Sequence, residues 1–271
     1  FNWRGIATNQ SLIRALHAVN ITPVAAQIAL DNFEKALSYD TLGRPELVER
    51  IVEAIPRFAD ASIPVDIRLK FYELGKKALE EQLSRFPNDA RYEVFAGNFY
   101  STYTKPKEAE KHYLLATELS PKKQSILSQL GSFYVLYKEY DKAGEVFKKA
   151  YESDLSYDNV AQLYAMSLIY AGRENDAKKF IKERFGSVDA TGDLFLQSYA
   201  NLGSWTKVIS ILRERVAKNP ENRENRMNLV SAYYQSGNRS GAIMALRDYI
   251  AYDPSFKTQG EEFIKQIEAE K

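Results

Sequence analysis

Few side chains in this sequence have the type and spacing that chemistry demands. His17 and His112 are its two histidines, and no cysteine accompanies them. A bound transition metal needs three or four ligands converging on one point. Neither histidine has a partner at ligand spacing, so neither a metal site nor any other cofactor is expected. His17 reads as a partly buried packing residue and His112 as a surface residue. Gly75-Lys76-Lys77 lacks the upstream glycine and the Ser/Thr of a phosphate loop. No Rossmann glycine cluster or nucleophile elbow occurs. The carboxylate pairs Glu80-Glu81 and Glu261-Glu262 fall in charged helical stretches, which gives acid–base catalysis no special support. Asn9-Gln10-Ser11, Asn20-Ile21-Thr22 and Asn238-Arg239-Ser240 fit the glycosylation triplet, a pattern that also arises often by chance. The expectation is a protein that is not an enzyme.

The elements around these residues repeat. Ala96–Pro121 matches Leu130–Leu155 at an offset of 34, pairing Gly97 with Gly131, Tyr100 with Tyr134, Ala109 with Ala143 and Ala116 with Ala150. One column of small residues runs Gly75, Ala109, Ala143, Ala177, Val208, Ala242. A bulky column follows four residues later: Leu79, Tyr113, Phe147, Ile181, Leu212, Leu246. A terminating column holds Pro87, Pro121, Leu155, Asp189, Pro220, Pro254. Self-similarity at this period marks stacked helical hairpins. Glycine inside a helix loses roughly 1 kcal/mol against alanine, so Gly131 implies a close approach by a neighbour. Gly131 and Ala143 are expected where two helices meet, with Tyr134 and Phe147 filling the space between hairpins.

At these residues the chain resembles the tetratricopeptide repeat family, best at Gly97, Tyr100, Ala109, Tyr113, Ala116, Pro121 and at Gly131, Tyr134, Ala143, Phe147, Ala150. It departs later, where Arg184, Arg215 and Tyr249 replace the last alanine and Leu196 and Val230 replace the glycine. The resemblance implies an all-α, right-handed superhelical solenoid of about seven helix-turn-helix repeats plus a C-terminal capping helix. The expected repeats are 9–43, 44–88, 89–123, 124–157, 158–188, 189–222 and 223–256, with the cap at 257–271, all in one solenoid over 1–271. The first helix is expected to open near Asn9. Repeat two is long because Pro56 and Pro64 bracket a break. The short step near Phe185–Asp193 trims a turn.

In this family the first helices line a concave groove that holds ligands. The matching places here are Arg91, Val94, Phe95, Asn98, Ser101 and Thr102, then Ser125, Ser128, Gln129, Ser132 and Leu136. Further on they are Asn159, Gln162, Leu163, Met166 and Tyr170, then Asp193, Gln197, Asn201, Met227, Asn228, Ser231, Tyr234 and Gln235. Most are amides and hydroxyls, and amides both donate and accept hydrogen bonds. Such a ladder suits an extended peptide or protein segment, or a polysaccharide. The plainer alternative is an ordinary solvated surface. Family members that bind chaperone tails clamp a terminal carboxylate with lysine, arginine and asparagine. Asn98 fits one clamp place, but Ser, Gln and Leu occupy the others, which argues against that ligand.

Net charge is +1 from 37 basic and 36 acidic residues, which makes no electrostatic case for nucleic acid. Mixed runs such as Lys105–Tyr113 read as solvated outer faces. No apolar run approaches a membrane span. The absence of cysteine leaves the compartment undetermined. The chain opens on Phe1 and reads as a piece of something longer. Ala36, Leu37, Tyr39, Asp40, Thr41, Gly43 and Glu46 are similar to the phrase that joins repeats one and two in the tails of bacterial O-antigen ligase-like membrane proteins. That resemblance implies a tail whose partner is a protein or a glycan and whose catalysis lies elsewhere. The rival expectation is a free-standing adaptor for an unrelated protein complex.

Overall fold

A computed structural model describes residues 3–17, 22–39 and 41–269. Fifteen α-helices and two short 3-10 turns account for the regular structure of these residues, which contain no strand. Two compact units divide the chain, Phe1–Asp154 and Leu155–Lys271. The first holds four hairpins: α1 (Trp3–Leu16) with α2 (Pro23–Ser38), α3 (Arg44–Ala54) with α4 (Val65–Arg85), α5 (Ala90–Thr102) with α6 (Pro106–Leu119), and α7 (Gln124–Leu136) with α8 (Tyr140–Ser153). The second holds α9 (Asp158–Tyr170) with α10 (Glu174–Phe185), α11 (Asp193–Asn201) with α12 (Trp205–Lys218), α13 (Arg223–Gln235) with α14 (Arg239–Tyr252), and a final helix α15 (Lys257–Ala269).

Local chemistry sets the helix ends. Thr22 accepts from Ala25 N ahead of Pro23, and Asp89 accepts from Arg91 N at the start of α5. These are side-chain caps of otherwise orphan N–H groups. The break in repeat two is a 3-10 turn at Ile55–Phe58, after which Pro64 precedes α4. The shortened step falls on α11, which has 9 residues where α9 and α13 have 13. The first helix starts at Trp3, ahead of the expected Asn9.

Every hairpin turn from α5 onward uses one device. Thr104, Lys138, Gly172, Gly203 and Gly237 are left-handed, with φ of 55°, 61°, 75°, 66° and 76°. The next amide then bonds the carbonyl five residues back, as in Lys105 N to Tyr100 O (2.9 Å), Glu139 N to Tyr134 O (2.8 Å) and Arg173 N to Leu168 O (2.8 Å). This satisfies carbonyls that the helix end would leave unpaired.

The small-and-bulky columns form the core. A Cβ on Gly131 would lie 2.6 Å from the Phe147 ring, and one on Gly97 2.8 Å from the Tyr113 ring. The ring of a second helix therefore sits on the glycine of its own first helix. Phe147 fills space within a hairpin, correcting the expected place between hairpins. Contacts between hairpins come from neighbours such as Tyr113 and Phe133, whose centroids are 5.3 Å apart. Where the glycine is replaced, the ring shrinks too. Ala165 goes with Ile181, which nearly conserves the packed volume, while Leu196 goes with Leu212 and Val230 with Leu246, pairs in which the larger first-helix residue more than replaces the lost ring.

Polar clasps pin the open ends of several hairpins. Arg44 bonds Glu81. Gln124 Nε2 donates to Ala150 O (3.0 Å) and Asp154 O (3.2 Å). Arg184 reaches Leu155 O (3.1 Å) and Asp158 (2.6 Å). Arg215 reaches Thr191 O (2.6 Å) and Asp193 (2.9 Å), and Arg223 pairs with Asp253 (2.7 Å). Arg184 and Arg215, which break the alanine column, thus bind the start of their partner helix.

Candidate functional site: the first-helix faces

In the first unit the candidate residues lie on α5 and α7. Arg91 is exposed, pairs with Glu49 (3.0 Å) and lies over the Tyr92 ring at 4.9 Å. Phe95 is half-buried and tilted against Tyr92. Arg91, Val94 and Phe95 of α5 and Ser125 of α7 line one cleft of about 900 Å³, closed at one side by the turn between α4 and α5. Asn98 is half-buried, and its Oδ1 accepts from Tyr113 Oη at 2.6 Å. The expected ligand-facing amide is therefore taken up by the hairpin itself. Thr102 Oγ1 donates to Asn98 O (3.0 Å), and Ser101 and Ser128 are half-buried. Gln129 and Ser132 are exposed. Ser132 stands where Asn98 stands one repeat earlier, but Phe147 has no hydroxyl to engage it.

In the second unit the candidates lie on α9, α11 and α13. Asn159, Gln162, Gln197, Asn228, Ser231 and Tyr234 are exposed, while Met166 and Tyr170 are half-buried. Asn201 Nδ2 donates to Tyr170 Oη at 2.9 Å, so this amide also has a partner in the chain. Gln129, Gln162, Gln197 and Asn228 have none among the described residues.

Both histidines differ from expectation. His17 is exposed, because α1 closes at Leu16 and buries Thr8, Ser11 and Ala15 instead. His112 is drawn inward. Its Nδ1 lies 2.7 Å from Glu93 Oε2, with the two side chains only 17% and 6% exposed, and its ring stacks on Tyr100 at 5.3 Å. A buried carboxylate demands such a partner.

Sequence reasoning also missed two matching networks. Glu110 accepts from Tyr134 Oη (2.9 Å) and Lys142 (3.1 Å), and Lys142 lies over the Tyr134 ring. In the second unit Lys207 bonds Glu174 (2.6 Å) and lies over the Tyr199 ring at 4.4 Å, while Lys178 adds a second bond to Glu174 (2.7 Å). Burial and the Glu110 bond push Tyr134 up to about 12. Bonds from Lys178, Lys207 and Tyr199 pull Glu174 down to about 2. The spacing Glu, Tyr, Lys nearly repeats (110, 134, 142 and 174, 199, 207), which is the signal that could have found them. Each network ties a second helix to the hairpin that follows, so both serve the stack.

The described residues hold no cluster of three or more His, Cys, Asp or Glu able to bind a metal. None of their helices is long and apolar enough to cross a membrane. Among the glycosylation triplets, Asn9 lies within α1. The Asn238 side chain is spent capping α14, accepting from Gly241 N at 2.8 Å. Asn20 and Ile21, like Asp40 of the tail-like phrase, lie outside the described residues.

No family model and no curated protein matches the chain. Among solved structures, a tetratricopeptide repeat protein from Parabacteroides merdae is 13% identical, over 97% of this chain and 99% of its own, at a TM-score of 0.55. At that identity the likeness is one of fold, and with the helical pairs above it gives the chain an all-α helical-repeat fold like that of a tetratricopeptide repeat protein. Pseudomonas aeruginosa pilF is 17% identical over 100% of both chains at a TM-score of 0.45. YrrB, described as a TPR protein with an unusual peptide-binding site, is 19% identical over 65% of this chain and 93% of its own at 0.40. At those scores neither adds to the assignment.

Proposed function

We propose that the chain is a non-catalytic interaction scaffold that holds an extended peptide or a partner helix on its first-helix faces. The observation that carries this reading is the state of the exposed amides. Gln129, Gln162, Gln197 and Asn228 are exposed and bond no other described residue, whereas Asn98 and Asn201 are occupied. An amide bonded only to water can exchange that water for a ligand's backbone at little cost. Because helical packing fixes the backbone of these faces in advance, the scaffold adds little to the ordering cost of binding. The tetratricopeptide fold supports the reading as an analogy of scaffold.

A narrower version makes this the tail of a bacterial surface-polysaccharide assembly membrane protein, with a glycan or a protein as ligand. The phrase from Ala36 to Glu46 favours it. One experiment addresses both versions. Peptides selected from a displayed library on the intact chain, and a panel of bacterial surface glycans, are titrated by calorimetry. The variants are Gln129→Ala/Ser132→Ala and Gln162→Ala/Gln197→Ala. Peptide binding that weakens in at least one variant, with helicity unchanged, is the expected result. Glycan binding with peptides silent would favour the narrower version. Affinity unchanged in both variants would remove these faces as the site.

A further inference from the structure

We propose that the cleft at the N-terminal ends of α5 and α7 docks an internal acidic peptide segment carrying one aromatic or large aliphatic side chain. This gives the partner chemistry of part of the face already read as an interaction surface, and it rests on that reading.

Three features of the cleft converge. Its volume, about 900 Å³, lies within the range of ligand-holding clefts. Its floor is apolar and partly open. Phe86 is 43% exposed and leans on the buried Tyr92 ring at 5.8 Å, and Phe95 lies beside that ring at 6.3 Å. Exposed rings grouped in a concave site favour an anchoring side chain over bulk solvent. Its rim is cationic. Arg85, Arg91 and Lys123 line it against Asp89, and because Arg91 also pairs with Glu49 (3.0 Å) just outside the lining, the cation left to meet an incoming carboxylate is chiefly Lys123. The Asp89 carboxylate is turned to its own helix, accepting from Arg91 N (2.9 Å) and from Arg91 Nη2 (3.5 Å).

A cationic rim around an apolar floor selects acidic residues flanking an apolar one, because complementary charge steers the encounter and rejects basic competitors. This positive rim is local, since the whole chain carries only +1. A nucleic-acid backbone would need a longer basic track and would leave the rings unused. A terminal-carboxylate clamp is not required. Asn98, the clamp-like residue, lies outside the lining and is bonded to Tyr113.

The test uses the intact chain and three short labelled peptides, read by fluorescence anisotropy at low salt. One is rich in Asp and Glu around a central Phe, the second has Ser in place of that Phe, and the third has Lys in place of the acids. The first should bind, the second about tenfold more weakly for loss of its anchor, and the third not at all. Lys123→Glu should weaken the first by roughly fivefold, an effect that fades as salt rises. Ser125→Trp, at an exposed position in the first turn of α7, should fill the cleft and abolish binding with helicity and melting unchanged. Equal binding of the basic peptide would overturn the proposal, as would indifference to both Lys123→Glu and Ser125→Trp. Failure of all three peptides, while library-selected ligands still respond to the amide substitutions, would sink this proposal and leave the interaction-surface reading standing.

Discussion

The contact between Gly131 and Phe147 sets two known energies against each other. Replacing Gly131 by alanine should favour α7 by roughly 1 kcal/mol, the usual helix-interior difference. The new methyl would lie 2.6 Å from Phe147 Cε1 and 2.8 Å from both Cδ1 and Cζ. The ring must then retreat by about an ångström to reach ordinary contact. It has nowhere to go, being 1% exposed and flanked by Ala143 and Ala150, which have no exposed surface. Overpacking of a closed core costs about 1–3 kcal/mol, and a contact this short on a fully buried ring belongs near the top of that range. The expected net effect of Gly131→Ala is a loss of about 1–2 kcal/mol. Repeat arrays need not unfold in one step, so the readout should be local. Amide hydrogen exchange along α7 and α8 should speed up by about five- to thirtyfold. Ser132→Ala, exposed on the same helix, should change it little. In Gly131→Ala/Phe147→Leu the smaller side chain makes room for the methyl, so the double variant should lose less than the sum of the singles. Exchange that is unchanged or slower in Gly131→Ala would refute the account, because helix propensity would then outweigh the contact.

Two further predictions concern turns and charge. Lys138 holds φ at 61° in a turn whose later counterparts are glycines. Lys138→Gly should relieve about 1–2 kcal/mol of left-handed strain against about 0.4–1 kcal/mol of added unfolded-chain freedom. The melting temperature should rise, and a fall would show that the lysine is not strained there. Glu174 is held at about 2 by its bonds to Lys178, Lys207 and Tyr199. A folded value below the unfolded one makes its contribution to stability complete above the ordinary carboxylate range, and that contribution fades as pH falls through about 2. A carbon-13 carboxyl titration should show this low midpoint, raised in Lys207→Met. An ordinary midpoint in the intact chain would mean that the network does not form.

What could be read from the sequence, and what could not, follows from the kind of information each feature needs. Period, close approach and helix breaks are properties of residue type along one chain. Gly131 announced a close approach by a neighbour, though not which ring makes it, and Pro56 and Pro64 announced the break. Which side chains pair across a hairpin depends on how two helices are rotated against each other, and no single helix encodes that. Glu93 and His112 therefore stayed hidden. Each is unremarkable on its own helix, and only the facing of α5 and α6 brings them to 2.7 Å. The left-handed turns were half-visible for a similar reason. Gly172, Gly203 and Gly237 signal φ > 0, but Thr104 and Lys138 adopt it without the residue that marks it.

The candidate face shows how the two kinds of information combine. Asn98 and Ser132 hold the same place in successive repeats, and position alone makes them equals. One oxygen atom separates their fates. Tyr113 carries a hydroxyl that bonds the Asn98 amide, while Phe147, its counterpart, carries none, so Ser132 stays open to solvent. A ligand on this face would meet side chains chosen by what the second helix leaves unused. The register of α6 and α8 behind it thus shapes the candidate face as much as the first-helix residues themselves.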